Sequence, residues 1–158
     1  MSKRIFEEKQ RFNQPFIYLL FGITACVIGY KSYQETASIQ IGTGEIIFLC
    51  VAAFIFIINL KTRIDEEGIH IKMFPIHFSY KKYKWKEVGA IKVVTYSPLM
   101  DYGGWGIRIS FKKGTAYNTR GDKGIKIQMK NGDLRMIGTQ KKDEAQDVIN
   151  HYFKTEEN

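Results

Sequence analysis

The sequence predicts a membrane-anchored α+β protein. We expect an N-terminal transmembrane hairpin of two helices, then a seven-stranded β-barrel or sandwich that carries a C-terminal amphipathic helix. Three observations predict this fold. Residues 15–60 carry only Lys31, Glu35 and Glu45 as charges. Strand-like alternation of apolar and polar side chains follows, and it gives way to a helical period near the end of the chain.

The first part of the chain supplies a tail and two apolar helices. Residues 1–14 are charged with mixed sign, and we expect a solvated cytoplasmic tail or a short interfacial helix there. Two apolar runs predict helices over about 15–32 and 44–60. The second run has no charge, Gly or Pro from Ile46 to Ile58. A helix of about 17 residues reaches roughly 26 Å, close to the thickness of a bilayer's hydrocarbon core.

Flanking charges predict the orientation of this hairpin. The link over residues 31–43 is neutral, whereas the outer flanks are basic through Lys3, Arg4, Lys9, Arg11, Lys61 and Arg63. Because basic flanks stay in the cytoplasm, we expect both termini to be cytoplasmic and the link to lie outside. The chain then divides into a tail (1–14), a transmembrane hairpin (15–60) and a cytoplasmic domain (61–158).

A cleaved lipoprotein signal is the alternative for the first apolar run. Ile23–Cys26 is similar to a lipoprotein cleavage box, in which Cys26 would carry the lipid. Glu7 and Glu8 in the leader favour a retained helix instead, as do the apolar residues that continue after the cysteine. Neither Cys26 nor Cys50 stands at a metal-ligand spacing, so we interpret both as packing residues.

The cytoplasmic part predicts about seven strands and one helix. Alternation is clear in Gly106–Lys112, where it turns Ile107, Ile109 and Phe111 inward, and Asn131-Gly132 is a strong hairpin signal. The predicted strands are Thr62–Asp65, Gly68–Phe74, His77–Tyr83, Ile91–Tyr96, Gly106–Lys112, Gly124–Lys130 and Asp133–Gly138. In Lys141–Lys154 the apolar side chains instead recur at the spacing of one helix face, which predicts an amphipathic helix over an open end of the barrel.

The charge distribution points to anionic partners. The chain has a net charge of +8, and from Lys61 onward 19 Lys and Arg stand against 12 Asp and Glu. Such a basic surface favours lipid headgroups, nucleic acid or an acidic protein, and beside membrane helices the lipid headgroups are nearest. A membrane tether argues against nucleic acid as the partner.

The densest basic run lies in the middle of this domain. On a strand, Lys82, Lys84 and Lys86 would share one face while Tyr83 and Trp85 turn inward. We predict this basic face as a lipid-binding site close to the membrane. The alternative is a solvated strand face whose lysines protect a sheet edge.

Three glycines surround one tryptophan in the most unusual loop. Its residues are Asp101, Gly103, Gly104, Trp105, Gly106 and Arg108. The glycines predict positive φ or a close backbone approach, and we expect Trp105 to be buried as a plug of the barrel. Asp101 and Arg108 are placed to pair across the loop. We interpret the segment as structural, and a ligand-binding rim is the alternative.

Several segments together carry a resemblance to a known family. They are the two apolar runs and the segments Tyr96–Leu99, Asp101–Arg108, Ala116–Gly121 and Ile137–Gln140. With them the whole chain resembles the membrane-anchored bacterial pleckstrin-homology-like (PH-like) proteins. The resemblance implies a PH-like fold in a multi-pass protein of the bacterial cytoplasmic membrane. It implies little about activity, since this fold supports many kinds of binding.

The sequence contains no catalytic or metal-binding constellation. His70, His77 and His151 stand far apart, and no nucleophile lies in an elbow context. We therefore expect no enzyme activity, no cofactor and no metal. The first hypothesis is a non-catalytic scaffold or interaction module, whose partners are membrane lipids and another membrane or cytoplasmic protein. The second is binding of anionic lipid headgroups, and the third is an enzyme or transport component.

Overall fold

The protein is a mixed α+β molecule with an apolar helix near its N-terminus and two β-sheets. A computed structural model describes residues 4–36 and 42–153. The chain forms two compact units: residues 12–58 make up a helical unit, and the residues before and after them make up a sheet unit. The apolar segment is therefore an insertion into the sheet unit rather than a segment that precedes it.

The helical unit contains α1 (Pro15–Thr36) and α2 (Thr43–Ile57). Within the described residues, Pro15–Gln34 of α1 is the one helix long and apolar enough to cross a membrane, and Ile17 is its one buried residue. The shorter α2 contacts α1 through aromatic rings, with Tyr18 stacked on Phe56 at 5.3 Å. The second helix was predicted to reach residue 60, but α2 ends at Ile57 because the next residues pair in a sheet.

The prediction of a tail or interfacial helix over residues 1–14 is wrong. Phe6–Arg11 forms strand β1, which pairs antiparallel with β2 (Asn59–Asp65). Phe6 is 2% exposed and Gln10 is 3% exposed, so this strand belongs to the folded interior. The segment was missed because its inward positions after Phe6 are polar, which hides the alternation typical of a strand.

The described residues form nine strands rather than the predicted seven, and the strands make two sheets rather than a closed barrel. The first sheet has the order β1-β2-β3-β4 and the second the order β5-β8-β9-β7-β6. The remaining strands are β3 (Gly68–Phe74), β4 (Lys81–Lys84), β5 (Val88–Thr95), β6 (Gly106–Ser110), β7 (Gly114–Asn118), β8 (Lys123–Met129) and β9 (Leu134–Gly138).

Local sequence signals explain several of these strands. The Asn131-Gly132 turn joins β8 to β9, as predicted, and Gly132 has φ 90°. Glycine adopts such a positive φ without the strain of a Cβ atom. The predicted strand over His77–Tyr83 is mostly wrong, because residues 75–80 form a loop and pairing resumes only at Lys81.

The core is aliphatic and is covered by the C-terminal helix. Fully buried side chains come from both sheets, among them Leu60, Ile64, Ile71, Ile125 and Ile137. Helix α4 (Lys142–Tyr152) has the predicted apolar face: Ala145, Val148 and Ile149 are buried. A short helix, α3 (Pro98–Tyr102), covers a smaller cluster formed by Tyr96, Tyr102, Ala116 and Met136 on the second sheet.

Strand β6 departs from its predicted orientation. Ile109 is 78% exposed and Phe111 is fully exposed, although their alternation predicts that they face inward. Ile109 lies on β6, which is an edge of the five-stranded sheet, and Phe111 lies in the turn after this strand. The next residues in the row of Ile109, Thr115 and Arg135, are polar and only half-buried, so alternation predicts the face of a residue but not its burial.

Candidate functional site

The predicted basic face is only partly formed. Lys82 and Lys84 lie on β4, but the strand ends there, and Lys86 stands in a 3₁₀ turn over Trp85–Glu87. Lys82 donates to Glu67 at 3.3 Å. Strict alternation through Lys86 therefore does not occur, because the backbone turns at Trp85.

The two aromatic residues of this run point inward as predicted, and both are half-buried. Burial is the first cause that raises the pKa of Tyr83, and its contact with Tyr117 adds to the shift. Trp85 donates from Nε1 to the carbonyl oxygen of Asp65 at 2.8 Å and stacks on Tyr152 at 6.1 Å. The two rings hold the end of β4 against the rest of the sheet unit.

The register places this run away from the helical unit's attachment points. The chain leaves the first sheet at Arg11 and returns at Asn59, and these residues form one row with Phe74. We call this end of the sheet the junction end. Lys84 pairs with Gly68 at the opposite end. Six strand residues separate the two ends, which is roughly 20 Å.

A different set of lysines lies near the junction end. Lys9, Lys61 and Lys72 are direct register partners on three adjacent strands, and we call them the basic row. In the described part of the chain, none of the three forms an ion pair. Like charges placed directly opposite one another destabilise a sheet. The row therefore has a local energetic cost that an anionic partner would relieve.

The loop between β3 and β4, residues 75–80, lies at the junction end beside this row. Its apolar side chains face solvent: Phe78 is 79% exposed, Ile76 is 49% and Tyr80 is 44%. The loop is nevertheless attached to the sheet. The amide of His77 donates to the carbonyl oxygen of Met73 at 2.7 Å. The ring of Phe78 meets Phe74 edge-to-face at 6.2 Å.

His77 and Lys81 fix the inner side of this loop. The His77 ring lies 5.8 Å from the Tyr117 ring, and Lys81 donates to the Tyr117 hydroxyl at 3.2 Å. Burial, and then the charge of Lys81, lower the pKa of His77. The loop therefore turns His77 inward while Phe78 remains outside.

The glycine-rich loop is structural in most of its contacts. Gly103 ends α3 with φ 72°, and Gly104 and Gly106 also have positive φ, as predicted. Trp105 is half-buried rather than fully buried, and its Nε1 donates to the carbonyl oxygen of Gly121 at 3.3 Å. Arg108 donates from Nε back to the Trp105 carbonyl oxygen at 3.0 Å.

The predicted pairing of Asp101 with Arg108 is wrong. Asp101 forms an ion pair with Lys113 instead, and it accepts the backbone N–H of Ser97 at 2.9 Å. Both hydrogen bonds lower the pKa of Asp101, and the bond from Lys113 has the larger effect. The carboxylate therefore ties α3 to the turn after β6.

An open basic cleft of about 290 Å³ lies between α3 and the second sheet. Lys92 and Lys126 line it as direct register partners, and neither forms an ion pair within the described residues. Its floor includes Tyr96, whose pKa burial raises to about 12. The size of the cleft approaches that of small-ligand sites.

Sequence reasoning missed the basic row and the basic cleft for the same reason. Lys9, Lys61 and Lys72 are far apart along the chain, and strand pairing alone brings them together. The described residues hold no group of three or more His, Cys, Asp or Glu side chains placed to bind a metal. Neither a family model nor a curated protein matches this chain.

Proposed function

We propose that this protein is a membrane-anchored, non-catalytic interaction module of the bacterial cytoplasmic membrane. In this proposal, α1 and α2 cross the bilayer as a hairpin, and the sheet unit is a PH-like domain on the cytoplasmic side. The two sheets and the packed helix α4 support the PH-like assignment, as does the resemblance of the sequence. Ile109 on a sheet edge and Phe111 in the turn after it are both exposed, and they support a role in binding a partner.

The proposal of a hairpin rests on one observation, the pairing of Arg11 with Asn59. Residues that are paired in one sheet lie on the same side of a membrane. The inserted segment must therefore cross an even number of times. If α1 crosses, α2 has to return. At 15 residues α2 is roughly 22 Å long, a length that bilayer thinning accommodates at modest cost.

The same pairing argues against a cleaved signal. Cleavage before Cys26 would remove β1 together with the leader, and β1 carries the buried Phe6. It would also remove Gln10, whose Nε2 donates to the Gly138 carbonyl oxygen at 2.7 Å. A retained anchor keeps these contacts.

Cysteine labelling tests the anchor and its orientation. Cys26 and Cys50 are first replaced by Ala. A single cysteine is then introduced as Ser38→Cys or Asn158→Cys, and the protein is labelled in intact cells. We expect an impermeant reagent to label the Ser38→Cys protein from outside, and the Asn158→Cys protein only after lysis. Labelling of Asn158→Cys in intact cells would overturn the orientation.

A photo-crosslinking residue at Phe111 tests the interaction role. In intact membranes we expect it to capture a defined protein partner, and the same residue at Lys130, which is exposed on another turn, should not capture that partner. Equal capture at both positions would show that the turn after β6 is not a specific binding surface.

A second candidate function is the binding of anionic lipid headgroups, and the basic row favours it over the lysines of β4. Lys9, Lys61 and Lys72 lie near the junction end and have no acidic partners among residues 4–36 and 42–153, whereas Lys84 lies roughly 20 Å away. Screening at physiological salt extends over about 8–10 Å. Of these two sets of lysines, only the basic row therefore lies within electrostatic reach of a bilayer that begins at the junction.

Matched triple variants separate the two sets of lysines. They are made in a closed domain, in which residues 12–58 are replaced by an Asn-Gly turn. Changing the basic row to Gln should weaken binding to anionic vesicles by about 3 kcal/mol, on the order of a hundredfold. Changing Lys82, Lys84 and Lys86 to Gln removes the same charge and should have a much smaller effect. Equal losses would refute a specific role of the row.

A further inference from the structure

We infer that the β3–β4 loop inserts Ile76 and Phe78 into the interfacial region of the bilayer that holds the helical unit. This inference rests on the proposed membrane anchoring. The loop would attach the protein to the bilayer in addition to the two helices and the basic row, and it would do so through apolar side chains. Lipid is the partner of this exposed apolar surface. Three properties of the loop indicate this: its position, its composition and its attachment to the sheet.

Position is the first reason. Phe74, the last residue of β3, is the register partner of Asn59, where the chain returns from the helical unit. Neighbouring strands lie about 5 Å apart, so Phe74, Asn59 and Arg11 span only about 10 Å. The loop starts at the residue after Phe74. A bilayer that receives the chain just beyond Arg11 and Asn59 is therefore within reach of the loop.

Composition is the second reason. Phe78 is 79% exposed and Ile76 is 49% exposed, and such apolar exposure is unfavourable in water. Lys72 lies over the ring of Tyr80 at 6.0 Å. Lys81, just after the loop, has no acidic partner among the described residues. Exposed aromatic and aliphatic side chains close to lysines are typical of segments that lie in a membrane interface.

Attachment is the third reason. The hydrogen bond from the His77 amide and the packing of its ring on Tyr117 hold the inner side of the loop. The edge-to-face contact with Phe74 fixes the Phe78 ring on the outer side. Because the loop is ordered before it meets lipid, insertion costs little conformational entropy.

Depth-dependent fluorescence quenching in the full chain tests this inference. The protein, with Cys26 and Cys50 replaced by Ala, is reconstituted in vesicles of phosphatidylcholine and phosphatidylglycerol. An environment-sensitive fluorophore is attached through Phe78→Cys, or through Ile76→Cys as a second position. Lys84→Cys on the opposite end of the sheet is the control. A variant that keeps Cys26 and carries only Cys50→Ala reports on the helical unit.

We expect lipids with a spin label near the top of the acyl chain to quench the Phe78→Cys and Ile76→Cys proteins strongly. Emission from the Lys84→Cys protein should be retained. Quenching at Cys26 without quenching at either loop position would overturn the inference and leave the proposed anchoring intact. Cys26 lies at the middle of α1, so lipids with a spin label near the end of the acyl chain report on it, and absence of that quenching would overturn both. Equal quenching at Lys84→Cys and the loop positions would overturn the loop's specific role.

Discussion

Asp65 is the residue on which the turn between β2 and β3 depends. Its carboxylate accepts hydrogen bonds from Arg63 Nε at 2.8 Å, from His70 Nε2 at 3.0 Å and from the Glu67 amide at 3.0 Å. Burial acts to raise the pKa of Asp65, but the hydrogen bonds from Arg63 and His70 outweigh it and lower the pKa below 3.8. The ionised carboxylate is therefore the form that stabilises the fold.

Asp65→Asn should destabilise the closed domain by about 1–3 kcal/mol at neutral pH, because it leaves a partly buried network incomplete. The lowered pKa gives stability that is present above the unfolded-state value and is lost as pH falls through the folded-state value. The difference from wild type should therefore shrink below about pH 4. Urea unfolding at several pH values measures it. Asp122→Asn, at an exposed ion pair with Lys123, is the control and should change little.

Tyr96 provides a second prediction at the residue scale. Its hydroxyl accepts a hydrogen bond from Asn118 Nδ2 at 2.8 Å, and Asn118 is completely buried. Tyr96→Phe should cost about 1–3 kcal/mol, because it leaves a buried donor without its acceptor. Tyr102→Phe is the matched control, because the Tyr102 hydroxyl donates to the Lys113 carbonyl oxygen in a hydrogen bond that is only part-buried. A smaller loss for Tyr96→Phe than for Tyr102→Phe would contradict this account.

At the scale of elements, β1 connects the two sheets. Its Phe6 enters the core, while Glu8 accepts the Thr139 hydroxyl at 2.7 Å and the Gln140 amide at 2.8 Å. Gln10 bonds to Gly138 and accepts the Thr119 hydroxyl at 3.1 Å. The polar side chains of β1 thus hydrogen-bond to the end of β9 and to neighbouring loops, whereas its backbone pairs with β2.

Phe6→Ala should destabilise the sheet unit by about 3–5 kcal/mol, because it leaves a cavity in a packed core. Ile5→Ala is the control next to it, and it should have little effect because Ile5 is 50% exposed. Thermal unfolding of the full chain in detergent measures both. Similar losses for the two variants would mean that Phe6 is not an anchor of the core.

At the scale of the whole molecule, the sheet unit is completed from both sides of the apolar segment. A fragment that starts at residue 61 lacks β1 and the first two residues of β2. We expect that fragment to be unfolded or aggregated. The closed domain should fold cooperatively, because an Asn-Gly turn suits a two-residue connection between paired antiparallel strands such as β1 and β2. A dispersed NMR spectrum would identify the folded closed domain and distinguish it from the 61–158 fragment. A well-folded 61–158 fragment would contradict the role assigned to β1.

The sequence by itself determined the features that have a local period. The apolar character of α1, the amphipathic face of α4 and the turn at Asn131-Gly132 all follow from spacing over a few residues. Strand β3 matches its predicted bounds. Such signals are local because helix and strand geometry repeats every few residues.

Tertiary structure alone decided the rest. Pairing across the apolar insertion turned the charged segment Phe6–Arg11 into a strand, and it aligned Lys9, Lys61 and Lys72 in one row. The edge position of β6 exposed Ile109. These outcomes depend on which distant strands are neighbours. The period of a segment carries no information on its neighbours, so the surface that we propose to face the membrane could not be identified before the strands were paired.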